Sequence, residues 1–141
     1  MQDGIGRTGR AILAILLVCC GCRKGTNPAG SSGKAFLDEK KQVPARVEWN
    51  REVVARKGGT IAFRVSSQGP FAVTVVTANA YQAMKAGNRK GFQKSDVLLT
   101  LDVKENSYDG KVTLPPGSCY FIIENQTDKS VEMHLECFEA S

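Results

Sequence analysis

Near the C-terminus, two alternating apolar runs flank the polar turn Asn125–Ser130, and this feature constrains the chain more than any other. Period-two alternation on both sides of a short turn is the pattern of an antiparallel hairpin. Folding the runs on that turn sets Phe121 opposite Leu135, Ile123 opposite Met133 and Cys119 opposite Cys137. Every pair on that face is apolar, and a slip of one residue would turn the whole set toward solvent. The register also makes Cys119 and Cys137 a disulfide candidate, because directly opposed antiparallel residues come within bonding reach. Such a bond would contribute roughly 3 kcal/mol in the chain-entropy account. The other reading is a pair of buried free thiols, since packing alone favours cysteine inside.

Upstream, the alternation recurs at strand spacing. Val47 and Trp49 are expected to face inward on Arg46–Asn50, and a further run, Glu52–Arg56, leads to the turn Lys57-Gly58-Gly59. Ile61, Phe63 and Val65 form the next inward set, with Thr60, Ala62 and Arg64 outward. Phe71, Val73 and Val75 follow, then Val97, Leu99, Leu101 and Val103, then Val112 and Leu114. Seven to eight short strands at this spacing predict an all-β fold, an antiparallel β-sandwich over residues 44–141. One segment departs from it: Tyr81, Met84 and Lys85 predict a short helix over Asn79–Ala86 within the long excursion Ala78–Ser95.

The N-terminal segment has a different character. Arg7 and Arg10 precede the apolar core Ala11–Val18, which is short for a spanning helix and right for the core of an export signal. It runs into Cys19-Cys20-Gly21-Cys22, an ending that resembles the lipobox of bacterial lipoproteins. The resemblance implies cleavage after residue 21, lipidation of Cys22, and a protein that is exported and membrane-anchored, periplasmic or on the cell surface. Cys20 is the competing frame. Residues 1–22 are thus expected to be a signal peptide, and the Gly/Ser/Pro-rich stretch within 23–43 a flexible tether.

The run Gly117-x-x-Tyr120-Phe121-x-x-x-Asn125, entering a last pair of strands, resembles the GOLD-type β-sandwich domains of the emp24 group over roughly residues 46–139. Members of that family are mostly binding or cargo-adaptor modules, so the resemblance implies recognition without catalysis. The bacterial-type signal and the Ala78–Ser95 segment depart from the family pattern.

Three groups of residues are candidates for function. The excursion carries Tyr81, Lys85, Arg89, Lys90, Phe92 and Lys94, a basic and aromatic set suited to an anionic glycan or an envelope protein. Glu132, His134 and Glu136 alternate on the last strand and share one face, where imidazole and carboxylates suit zinc or copper. The hairpin register adds Glu124 opposite Glu132, a like-charge contact that a cation would relieve. Cys119 and Cys137 are the third group. His134 is the only histidine, which excludes a blue-copper centre. No nucleophile elbow, phosphate-cradling loop or dinucleotide fingerprint is present, so neither catalytic residues nor a cofactor are expected. A formal net charge of +5 is too small for a nucleic-acid partner. Asn125-Gln-Thr127 matches a glycosylation sequon and is read as a turn. The chain is therefore expected to be a lipid-anchored, non-catalytic binding or structural module, with metal binding through the Glu132–His134–Glu136 face as the alternative.

Overall fold

The computed structural model describes residues 28, 31–87 and 94–140. Its strands are β1 (Ser31–Val43), β2 (Glu48–Ala55), β3 (Gly59–Ser66), β4 (Phe71–Thr77), β5 (Val97–Val103), β6 (Ser107–Leu114), β7 (Gly117–Asn125) and β8 (Val131–Ala140). A helix, α1 (Ala78–Lys85), and a 3-10 turn at Lys94–Asp96 lie between β4 and β5. The strands make two antiparallel four-stranded sheets, ordered β1-β8-β3-β6 and β2-β7-β4-β5. Among these strands only β4 and β5 follow one another within a sheet, and every other connection crosses between sheets. This is the jelly-roll form of the β-sandwich.

The inner faces are those the alternation marks. Phe63, Val65, Phe71, Val73, Val75, Phe121, Ile123, Met133 and Leu135 are all fully buried. Phe63 on β3 and Phe121 on β7 meet edge to face across the two sheets, with ring centroids 5.3 Å apart. Opposite Phe63 in the β3–β6 ladder stands Gly110, where a Cβ would lie 3.0 Å from Phe63 Cζ and 2.5 Å from Tyr108 Cε2. The glycine makes room for Phe63 and Tyr108. The expected turn before β3 is present, with Gly58 at φ 71° and its N–H donating to Ala55 O at 3.0 Å.

The C-terminal pair is not a hairpin. β7 bonds to β2 and β4, whereas β8 bonds to β1 and β3. Phe121 therefore pairs in its sheet with Arg51 and Val75, and Leu135 with Glu39 and Val65. The two apolar rows belong to opposite sheets of one core rather than to neighbouring strands. Alternation says which face is buried but not which strand is the neighbour, and the turn serves either connection. Cys119 and Cys137 accordingly lie on different sheets and are free, buried thiols rather than a cross-strand disulfide.

Three smaller expectations also change. Residues 31–43, assigned to the tether, form edge strand β1, so the folded part begins before Pro44. Arg46–Asn50 and Glu52–Arg56 merge into β2, leaving Val47 in the preceding turn and 44% exposed. Ala62, though on the outer face, is buried between its ladder neighbours Phe138 and Lys111.

Asn125 fixes the end of the molecule where β7 leaves its sheet. Its side chain is fully buried, and Nδ2 lies within hydrogen-bond distance of Val43 O (2.9 Å), Pro44 O (3.0 Å) and Lys129 O (2.9 Å). Its Oδ1 accepts from Thr127 N at 2.8 Å and Thr127 Oγ1 at 2.7 Å. With two N–H groups for three carbonyls, at least one bond is shared. The sequon is thus a structural turn that ties the β7–β8 crossing to the β1–β2 crossing.

Candidate functional site

Helix α1 lies against the outer face of the β2-β7-β4-β5 sheet. Thr77 caps it, accepting from Ala80 N at 3.3 Å and donating to Asp96 Oδ1 at 3.0 Å. Val76, Ala80 and Ile122 make a small second core beneath it, with Tyr81, Met84, Val97 and Tyr120 around them. Helix spacing sets Ala80, Tyr81 and Met84 toward the sheet.

Along the edge of that contact runs a pocket of about 230 Å³ lined by Glu48, Asn50, Tyr81, Met84, Lys85 and Ile122. Tyr81 is held firmly. Its ring stacks on Tyr120 with centroids 3.8 Å apart and planes 8° from parallel, and its hydroxyl accepts from Asn50 Nδ2 at 3.3 Å. Lys85 Nζ lies 5.5 Å from the Tyr81 ring centroid, in range for a cation–π contact. Desolvation, Glu52 and Tyr81 push the Tyr120 phenol above its usual value, so it stays neutral. The pocket thus offers a carboxylate, an amide, a phenol and an ammonium over an apolar floor of Met84 and Ile122.

Of the six residues picked from the excursion, Tyr81 and Lys85 line this pocket. Lys94 is exposed on the 3-10 turn, and Arg89, Lys90 and Phe92 lie outside the described residues. Cys20 and Cys22 lie outside them too. Sequence reasoning missed Glu48, Asn50 and Ile122, which join the site only because β2 and β7 are neighbours. The outward alternation of Glu48 and Asn50 was the available signal.

A larger cavity, about 400 Å³, opens where edge strands β1 and β2 part, lined by Phe36, Val53, Val54, Ile61, Glu139 and backbone around Gly58. Phe36 and Val54 are respectively 49% and 58% exposed there. Among the described residues Glu139 is its one charged side chain, so these residues offer few of the converging polar groups that orient a small ligand. Nearby, Arg51 and Glu39 close the same side of the sandwich with a 2.6 Å ion pair.

The strand-face trio is rearranged. Glu124 lies on β7, paired with Glu48 and Ala72, and so is remote in the ladder from Glu132. Glu132 is exposed, with its N–H donating to Gln68 Oε1 at 3.3 Å. His134 and Glu136 instead gather with Asp38 of β1, their donor atoms all within 4.8 Å of one another. The two thiols are poor ligands and nucleophiles: burial raises Cys119, and burial first, then Glu136 against the opposing effect of Arg51, pushes Cys137 up to about 12.

No protein-family model matches this chain, and no curated protein matches it significantly. Solved structures of similar architecture include the Yersinia pseudotuberculosis-derived mitogen, with a TM-score of 0.49 and 9% identity over 77% of this chain and 89% of that one. A carbohydrate-binding module from a Cellvibrio mixtus lichenase, in complex with cellotriose, matches at TM-score 0.41 and 14% identity over 81% and 95%. The pre-peptidase C-terminal domain of a Bacillus anthracis collagenase matches at 0.45 and 11% over 72% and 87%. These neighbours are β-sandwich modules, and at such identities the likeness is one of architecture.

Proposed function

We propose that this protein is a lipid-anchored, extracytoplasmic, non-catalytic binding module whose ligand is an acidic glycan of the cell envelope. The pocket between α1 and the outer face of β2 and β7 carries the reading. A sugar ring presents hydroxyls at its rim and C–H groups on its faces, which suits converging polar groups over an apolar floor. Glu48 and Asn50 meet hydroxyls, Met84 and Ile122 meet the ring, and Lys85 meets the acidic group. The Tyr120 stack and the Asn50 hydrogen bond hold Tyr81 before ligand arrives, which lowers the ordering cost of binding. Placement at the envelope rests on the Ala11–Cys22 segment and its resemblance to a lipobox.

The test is an array of uronic-acid, sialylated and neutral oligosaccharides, followed by calorimetry on the best binder. Lys85→Ser and Tyr81→Ala are each expected to weaken binding at least tenfold, about 1.4 kcal/mol. Lys111→Ser, the same charge change at an exposed position of β6, is expected to leave it unaltered. Absence of any glycan binding, or equal affinity in all three variants, contradicts the proposal.

A further inference from the structure

The outer face of the β1-β8-β3-β6 sheet carries a ladder row of four charged residues. Asp38 pairs with Glu136, Glu136 with Arg64, and Arg64 with Asp109. Three carboxylates thus share one guanidinium within the row, and that guanidinium is committed to Asp109, Nε lying 2.8 Å from Oδ1. Its approach to Glu136 is looser, 3.9 Å. Like charges directly opposed on neighbouring strands are unfavourable, and Asp38 and Glu136 are such a pair. Beside them stands His134, whose Nε2 is 2.5 Å from Asp38 Oδ1. Lys40 stands opposite His134 in the ladder and is exposed.

We propose that Asp38, His134 and Glu136 form a zinc site on this face, separate from the glycan pocket. One imidazole nitrogen and two carboxylate oxygens are a donor set for a borderline divalent ion, and the imidazole disfavours magnesium and calcium. The three donor atoms already lie within 4.8 Å of one another. Donors around a tetrahedral zinc sit roughly 3.3–3.4 Å apart, given metal–ligand lengths near 2.0–2.1 Å. Loading the site therefore takes side-chain rotation and an opening of the Asp38–His134 contact by about 1 Å. Asp38 and Glu136 are held at one level by their ladder pairing, and His134 follows two residues along the same face of β8. Solvent completes the coordination, because Asp38 is exposed and the other two are half-buried. A divalent ion removes the carboxylate repulsion in the row. It also clamps the edge strand β1 to β8.

The chain's single histidine makes the test direct, since every imidazole signal reports His134. Zinc is titrated into the mature protein while the His134 ring resonances are followed by NMR. The expected result is a saturable shift with one ion per chain, weakened at least tenfold by Asp38→Asn and by Glu136→Gln. Glu132→Gln, two residues away on the same strand face, is expected to leave the affinity unchanged. Backbone amide spectra of each variant establish that it is folded. No imidazole shift up to millimolar zinc overturns the site. So does an affinity that Asp38→Asn and Glu136→Gln leave intact, which is a lone surface histidine, or one that depends equally on Glu132.

Discussion

Asn125 is the residue on which the fold turns most sharply. Its fully buried amide serves the carbonyls of Val43, Pro44 and Lys129 and accepts from Thr127, so removing it strands several polar groups away from water. Asn125→Ala is expected to cost about 3 kcal/mol in urea unfolding. Asn125→Asp is expected to cost more, because a carboxylate would face those same carbonyls, and an equal or smaller loss would contradict the hydrogen-bond assignment. The two core cysteines make a second residue-level prediction. As buried neutral thiols, Cys119 and Cys137 should resist alkylation in the native protein and react on unfolding, with mass mapping to identify each. Burial raises the Cys137 value from 9.0 to about 12, so the folded state favours the protonated form. That contribution to stability is fully present below pH 9.0 and is lost as pH rises toward 12. The urea midpoint of wild type should therefore fall across that window more steeply than that of Cys137→Ala. Parallel curves would contradict the assignment.

At the scale of elements, the inward sets were legible wherever a strand has its core face lined with large apolar residues. Ile61, Phe63 and Val65, and Phe71, Val73 and Val75, are buried as their alternation says. β1 was not legible, because an edge strand needs little burial: its inward positions include Glu39 and Lys41 beside Leu37 and Val43, and charge there breaks the pattern. With β1 hidden, Asp38 was hidden too, and the strand-face trio was read with Glu132 in its place. The partner of β8 was illegible for a different reason. An apolar row opposes another row equally well beside it in a sheet or across the core. The helix was legible from Tyr81, Met84 and Lys85, but its pocket was not, since Glu48 and Ile122 meet only through the β2–β7 ladder. Gly110 makes this architecture testable at one position. A Cβ there would lie 2.5 Å from Tyr108 Cε2 and 3.0 Å from Phe63 Cζ, and Phe63 is wholly enclosed. Gly110→Ala is expected to cost about 1–3 kcal/mol by calorimetry. The double change with Phe63→Leu is expected to cost less than the two single changes added together. Simple additivity would contradict the close approach.

As a whole molecule, the chain joins an expected membrane anchor to a sandwich whose two outer faces differ in chemistry. One face carries the helix-edged pocket and the other the charged row. Membrane attachment is tested by metabolic labelling with a radiolabelled fatty acid. Label is expected in wild type and absent from Cys22→Ala, whereas label persisting in that variant would move the anchor to Cys20. The central claim is that binding occurs beside α1 rather than in the larger cavity at the β1–β2 edge. The most direct measurement is backbone amide NMR on addition of the best-binding acidic oligosaccharide. Shifts are expected to cluster at Glu48, Asn50, Tyr81, Met84, Lys85 and Ile122. Shifts gathered instead at Phe36, Val53, Val54 and Ile61 would contradict the account.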